Sequence, residues 1–160
     1  MEKEITEVYC GNGRGKTTLA IGQALRASSQ GKSVIIIQFL KGNERRELDF
    51  LEELDQLDIK IFRFEKMESC YDQLNEEEQA EEERNILNGL NFARKVIATQ
   101  ECDFLVLDEI LGLLDKHIAT VDMVVGLLKQ KDESMHLILT GNRVDPGICL
   151  LYTSPSPRDS

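Results

Sequence analysis

Glycines at alternate positions, Gly11, Gly13 and Gly15, break the chain directly after a segment of alternating polar and apolar residues and directly before one with helical spacing. No other feature constrains the fold as tightly. Residues 5–10 read as a strand, 17–27 as a helix, and Gly11-Asn12-Gly13-Arg14-Gly15-Lys16-Thr17-Thr18 as the bend that joins them. Gly31 closes that helix. The near-continuous β-branched run over 33–39 then predicts a strand buried on both faces, as in a parallel sheet covered by helices on either side. The remaining pattern repeats the alternation: a short amphipathic helix over 45–57, a third strand over 58–64 and a long helix over 75–99. A fourth strand follows over 102–109, a helix over 121–129 and a fifth strand over 135–140. The long helix starts acidic and carries Arg94 and Lys95 toward its end, placements that suit a helix dipole. Strands alternating with helices predict an α/β fold of the doubly wound kind.

At 160 residues with 41% hydrophobic content, the chain is the size of one domain, expected over residues 1–148. Its formal net charge of −10 argues against a broad nucleic-acid interface, which needs a basic stripe. No apolar run is long enough to span a bilayer, and Met1-Glu2-Lys3-Glu4 has no signal-peptide character, so a cytoplasmic protein is expected, with no membrane and no nucleic acid among its partners. Cys10, Cys70, Cys102 and Cys149 form no C-x-x-C pair and read as incidental or buried thiols. Residues 149–160 carry two of the three prolines and no periodicity. They resemble, codon by codon, the conceptual translation of a transposon-type sequencing adapter and are expected to be a non-native tail.

The glycine bend has the makings of a phosphate loop. Glycines let consecutive backbone N–H groups converge on phosphate oxygens while the helix N-terminus behind them adds positive partial charge. Lys16 is then the cation that reaches the phosphates, Thr17 the hydroxyl placed to ligate Mg²⁺, and Arg14 a second cation. The strict motif wants a glycine where this chain has Cys10, so the match is to a variant. Phe104-Leu105-Val106-Leu107-Asp108-Glu109 looks like a Walker B strand, with Asp108 or Glu109 facing the metal; the blander reading is a core strand that ends in two solvated acids. The runs Glu76-Glu77-Glu78 and Glu81-Glu82-Glu83 read as a solvated helix face, and His117 and His136 as isolated. Asn142 and Arg143, just past the fifth strand, either reach the ligand or belong to a turn stabilised by Asn142 and Asp145.

On these residues the chain resembles the ATP:corrinoid adenosyltransferases, whose core is a RecA-like P-loop domain. The marks are Tyr9 through Thr18, Ala24-Leu25-Arg26-Ala27, Gln38-Phe39-Leu40-Lys41-Gly42, Asp108-Glu109-Ile110 and Leu139-Thr140-Gly141, spread over most of residues 4–146. The segment after the second strand is the most particular of them. The resemblance implies transfer of the 5′-deoxyadenosyl group of Mg·ATP to Co(I) of a corrinoid, with triphosphate released. Lys16 and Glu109 would be catalytic, and Thr17, Asp108 and Glu109 would hold metal. Gly11, Asn12, Gly13, Arg14, Gly15, Lys16, Thr17, Thr18, Gln38, Lys41 and Arg143 would line the nucleotide, with Tyr71 beside the corrinoid. A homodimer and a flavoprotein reductase are further implications.

The chain departs from the family in three ways. It has no tryptophan where the family uses a Phe and a Trp to displace cobalt's lower ligand; Tyr71 is the best substitute, with Phe62 and Phe64 better suited to packing. It has Thr140-Gly141-Asn142-Arg143 in place of T-G-R, and the family's closing helix, strand and basic tail are missing, which reads as a C-terminally truncated domain. Two other functions stay open on the sequence: a non-enzymatic nucleotide-binding regulatory module, and a RecA-like ATPase or kinase in which Glu109 activates water.

Overall fold

A computed structural model describes residues 6–10, 15–39, 57–64 and 71–142. Strand β1 spans Thr6–Cys10 and helix α1 Gly15–Ser29, followed by β2 at Val34–Gln38 and β3 at Ile59–Arg63. A single 3₁₀ turn at Tyr71–Gln73 precedes the long helix α2, Glu76–Thr99. Strand β4 covers Phe104–Asp108, a one-turn helix α3 Gly112–Asp115, α4 Val121–Gln130 and β5 His136–Gly141. Each strand and each long helix predicted within the described residues is present. The short helix α3 and the 3₁₀ turn are not foreseen by periodicity, because one turn is too short to show any. The helix predicted over 45–57 lies almost entirely outside the described residues, as do residues 149–160.

All strand pairings are parallel, in the order β1-β5-β4-β2-β3. Alternate residues of each strand feed two cores. Ile35, Ile37, Leu105, Leu107, Leu137 and Leu139 pack under α2 and α4, whereas Val34, Ile36, Phe104, Val106 and Ile138 pack under α1. The α1 side is lined by Ala20, Ala24 and Ala27, whose small side chains let the helix lie close on the sheet. Each fully buried Leu or Ile contributes roughly 1.5–3 kcal/mol, so the double coverage is what makes the five strands a stable sheet. Among the described residues no helix is long and apolar enough to cross a membrane.

Local signals set the ends of the helices. Asn75 caps α2 with a full capping box: its side chain accepts from the Glu78 amide at 2.8 Å while Glu78 accepts from the Asn75 amide at 3.1 Å. At the other end Arg94 and Lys95 fall a turn short of Thr99, so the last turn holds no basic residue and Gln100 closes it in the left-handed conformation instead. The acidic run is not wholly solvated either. Glu82 is buried and accepts from Asn85 at 3.1 Å, because its position falls on the same face as Ile86, Gly89 and Ala93.

Candidate nucleotide site

Every candidate side chain of the described residues comes to the rim formed by the strands' C-terminal ends, where ligands bind in open α/β sheets. Strand β1 ends there at Cys10 and α1 begins there at Gly15. Strands β2, β4 and β5 end at the same level with Gln38, Asp108 and Gly141. Because β5 lies between β1 and β4, the loop and the acidic pair are not on adjacent strands. Residues of β5 and the turn after it bridge the gap.

Asp108 sits at the centre of this rim and is 1% exposed. Its Oδ1 accepts from the Thr140 hydroxyl at 2.7 Å and from the Thr17 hydroxyl at 3.2 Å, and its Oδ2 accepts from the Gln38 amide at 3.4 Å. A carboxylate offers about four acceptor positions, and these bonds use at least three of them. Thr17, Gln38 and Thr140 are themselves buried, which makes the cluster a polar inclusion in an apolar surround. Such a group is costly unless it is bonded throughout.

The next residue turns away. Glu109 has φ of 65°, a left-handed conformation that is rare outside glycine, and its amide donates to the Thr140 hydroxyl at 2.7 Å. The twist aims its carboxylate at the loop: Glu109 Oε1 lies 3.3 Å from Lys16 Nζ, which also donates to Asn142 Oδ1 at 2.9 Å. Gly141 makes this turn possible. A Cβ there would fall 2.3 Å from Leu111 Cβ, and the close approach lets the Leu111 amide donate to the Thr140 carbonyl at 3.2 Å.

The structure thus unites Lys16, Thr17, Asp108 and Glu109, with Gln38 one bond away, and the two acids at the strand end are largely buried, unlike the blander alternative of two solvated acids. Gly15 opens α1 and Thr18 lies in its first turn. The Asn142 side chain accepts from Lys16 Nζ at 2.9 Å, while Asp145, its expected partner in a turn, lies outside the described residues. Gly11, Asn12, Gly13, Arg14, Lys41 and Arg143 lie outside the described residues, as does the side chain of Tyr71. Phe62 and Phe64 pack on Phe92, with ring centroids 4.6 and 5.6 Å apart, as a packing role requires.

The residues to which sequence reasoning gave no role are Thr140, quoted there only within a family mark, and Arg63. Thr140 links Asp108 to Glu109, and the Arg63 Nε donates to Gln38 Oε1 at 2.9 Å. The available signal was positional: each stands at or next to the end of its strand, level with Gln38 and Asp108. His136 also departs from expectation, since its Nε2 lies 2.6 Å from Glu7 Oε1 at the opposite rim. The oxygen set of Thr17, Asp108 and Glu109 suits a hard cation such as Mg²⁺, which is ordinarily held by one or two carboxylates together with water and substrate phosphates. An all-protein cage would need more: among the described residues no group of three or more His, Cys, Asp or Glu side chains is placed to hold a metal.

Comparison with known proteins places the chain beside a single family. The family described as ATP:corrinoid adenosyltransferase BtuR/CobO/CobP matches residues 2–151. The chain is 30% identical over 145 residues to the corrinoid adenosyltransferase of Escherichia coli K12, covering 88% of this chain and 68% of that protein. It is 28% identical over 143 residues to corrinoid adenosyltransferase CobA of Salmonella typhimurium, with the same coverage of 88% and 68%. With the corrinoid adenosyltransferase of Pseudomonas aeruginosa the identity is 26% over 153 residues, 92% of this chain and 70% of that one.

Proposed function

The chain belongs to the ATP:corrinoid adenosyltransferase family, and we propose that its C-terminal rim binds ATP and directs the 5′-deoxyadenosyl group to Co(I) of a corrinoid, releasing triphosphate. One observation carries the assignment of residues: the ammonium of Lys16 and the acids at the end of β4 converge, Lys16 Nζ standing 3.3 Å from Glu109 Oε1 while Thr17 bonds Asp108.

The bond that breaks joins ribose C5′ to the triphosphate oxygen, and the bond that forms joins C5′ to cobalt. Both electrons of the new bond come from Co(I). No water needs activating, so the residues' task is to bind a leaving group that gains negative charge and to keep the three atoms in line. Lys16 serves the first need with the loop amides that precede it and the N-terminus of α1. Its present partners, Glu109 and Asn142, hold the ammonium on the rim until phosphate oxygens replace them. Thr17 and Asp108 are the side chains we assign to Mg²⁺, with Glu109 beside them. Mg²⁺, when bound, adds charge stabilisation on the triphosphate.

In this reading Gly11, Asn12, Gly13, Arg14, Thr18, Lys41 and Arg143 complete the nucleotide surface and Tyr71 faces the corrinoid. A homodimer, a flavoprotein reductase as source of the electron and a cytoplasmic setting belong to the same proposal. The test is product identity. Mg·ATP and chemically reduced corrinoid should give triphosphate and a light-sensitive alkylcobalt in equal amounts; orthophosphate without alkylcobalt would overturn the reading.

A further inference from the structure

The rim carries an arrangement that none of the assigned roles uses. Strands β3, β2 and β4 are neighbours, and their pairing puts Arg63, Gln38 and Asp108 on one level, Gln38 opposite Arg63 on one side and opposite Asp108 on the other. Ile61, Ile36 and Val106, two residues earlier on each strand, all belong to the core under α1. The period of two therefore brings the three polar side chains to the same face, beside the start of α1. They are bonded in series: Arg63 Nε to Gln38 Oε1 at 2.9 Å, then Gln38 Nε2 to Asp108 Oδ2 at 3.4 Å.

A buried amide has two ways to sit between neighbours, and only one works here. Arg63 can only donate, and the Asp108 oxygen accepts from Gln38 Nε2, so the Gln38 oxygen faces the guanidinium and its NH₂ the carboxylate. Without the guanidinium, among the described residues the orientation rests on the Asp108 carboxylate alone, through a contact of 3.4 Å, and the amide is held less firmly. The flipped amide would set an oxygen against Asp108 and turn the carboxylate about the oxygen that Thr17 and Thr140 hold. We propose that Arg63 is a positioning residue of the nucleotide site: acting through Gln38, it fixes which edge of the Asp108 carboxylate is presented to the metal of the bound nucleotide. The inference rests on the assignment of Asp108 to the Mg²⁺ side of that site.

The experiment is ATP binding by calorimetry, with Mg²⁺ and with EDTA, on the full chain and on Arg63→Met, Arg63→Lys and Gln38→Met, with thermal midpoints for each. Arg63→Met keeps the apolar stem and removes the donor. Its affinity should fall about tenfold with Mg²⁺, in the range of couplings between bonded neighbours, and stay level in EDTA. Arg63→Lys should fall between it and the parent. Adding Arg63→Met to Gln38→Met should cost no more than Gln38→Met alone, because the path is already cut. Equal losses in Mg²⁺ and EDTA, additive losses in the double variant, or a lowered midpoint with affinity unchanged would each reduce Arg63 to a structural role and overturn the proposal. If Arg63→Met does not fold, the same ratio measured on Arg63→Lys decides. The underlying assignment fails separately, if the parent chain itself binds ATP equally well in Mg²⁺ and EDTA.

Discussion

The two rims of one parallel sheet handle polar groups in opposite ways. At the N-terminal rim the bonds tie neighbouring strands and strand starts to one another. Glu7 meets His136 at 2.6 Å while the Tyr9 hydroxyl donates to the other Glu7 oxygen at 3.0 Å; Ser33 and Asp103 clasp each other through backbone and side chain. At the C-terminal rim the bonds run in a chain. Lys16 is shared by Glu109 and Asn142, Thr140 serves both Asp108 and Glu109, and Gln38 stands between Arg63 and Asp108. A shared cation exchanges one oxygen partner for another at little cost, and phosphate oxygens are strong acceptors. The contrast separates groups that hold the sheet together from groups that can change partners when a nucleotide arrives.

The sharpest way to break that contrast is at Lys16. Lys16→Ala should lower ATP affinity by about a hundredfold, since a hydrogen bond to a charged group is worth on the order of 1.5–3 kcal/mol. The thermal midpoint should stay within a few degrees of the parent. Calorimetry and a melting curve on one preparation check both statements. A collapse of the midpoint would mean that the upper rim is as structural as the lower one.

What was legible in advance divides along the same line. The strand β2 is visible because Val34-Ile35-Ile36-Ile37 is apolar throughout, and β4 because a buried run ends in two acids; in both cases the signal lies in adjacent residues. The glycine bend is a signal of the same adjacent-residue kind, and its residues 11–14 lie outside the described residues. Strand order was not, since β1 pairs with β5 across well over a hundred residues and no local pattern encodes that. Thr140, quoted only within a family mark, and Arg63 were given no role because their importance is a matter of register between strands. Glu82 and His136 were misjudged for a related reason: a glutamate run or a single histidine reveals its partner only when the helix face and the neighbouring strand are known.

Gly141 sharpens the comparison, because it links the fold to the upper rim without any polar atom of its own side chain. Gly141→Ala would push a methyl group against the side chain of Leu111, which is fully buried and has little room to retreat. Overpacking of this kind costs roughly 1–3 kcal/mol. The turn that carries Glu109 must shift with Leu111, so the loss of stability in denaturant unfolding should come with a weaker response to ATP. A variant that lost stability and bound ATP as the parent does would show that the Glu109 turn tolerates displacement, and that the upper rim is less tightly placed than its hydrogen bonds suggest.

The smallest effect belongs to the lower rim and depends on pH. The Glu7 carboxyl is held below its ordinary range mainly by the hydrogen bond from His136, against the opposing effect of burial, with help from the Tyr9 hydroxyl. A carboxyl depressed in the folded state contributes stability at pH values above its unfolded value, and that contribution fades as pH falls through the lower, folded value. Glu7→Gln should therefore cost on the order of 1 kcal/mol at neutral pH. The gap from the parent should close as the pH drops below the normal carboxylate range, and ATP affinity should not change at any pH where both proteins are folded. Denaturant titrations at neutral and acidic pH read the first two statements. If the gap is the same at both, Glu7 acts through packing alone; if ATP affinity falls, the two rims are coupled through β1 and the separation drawn between them does not hold.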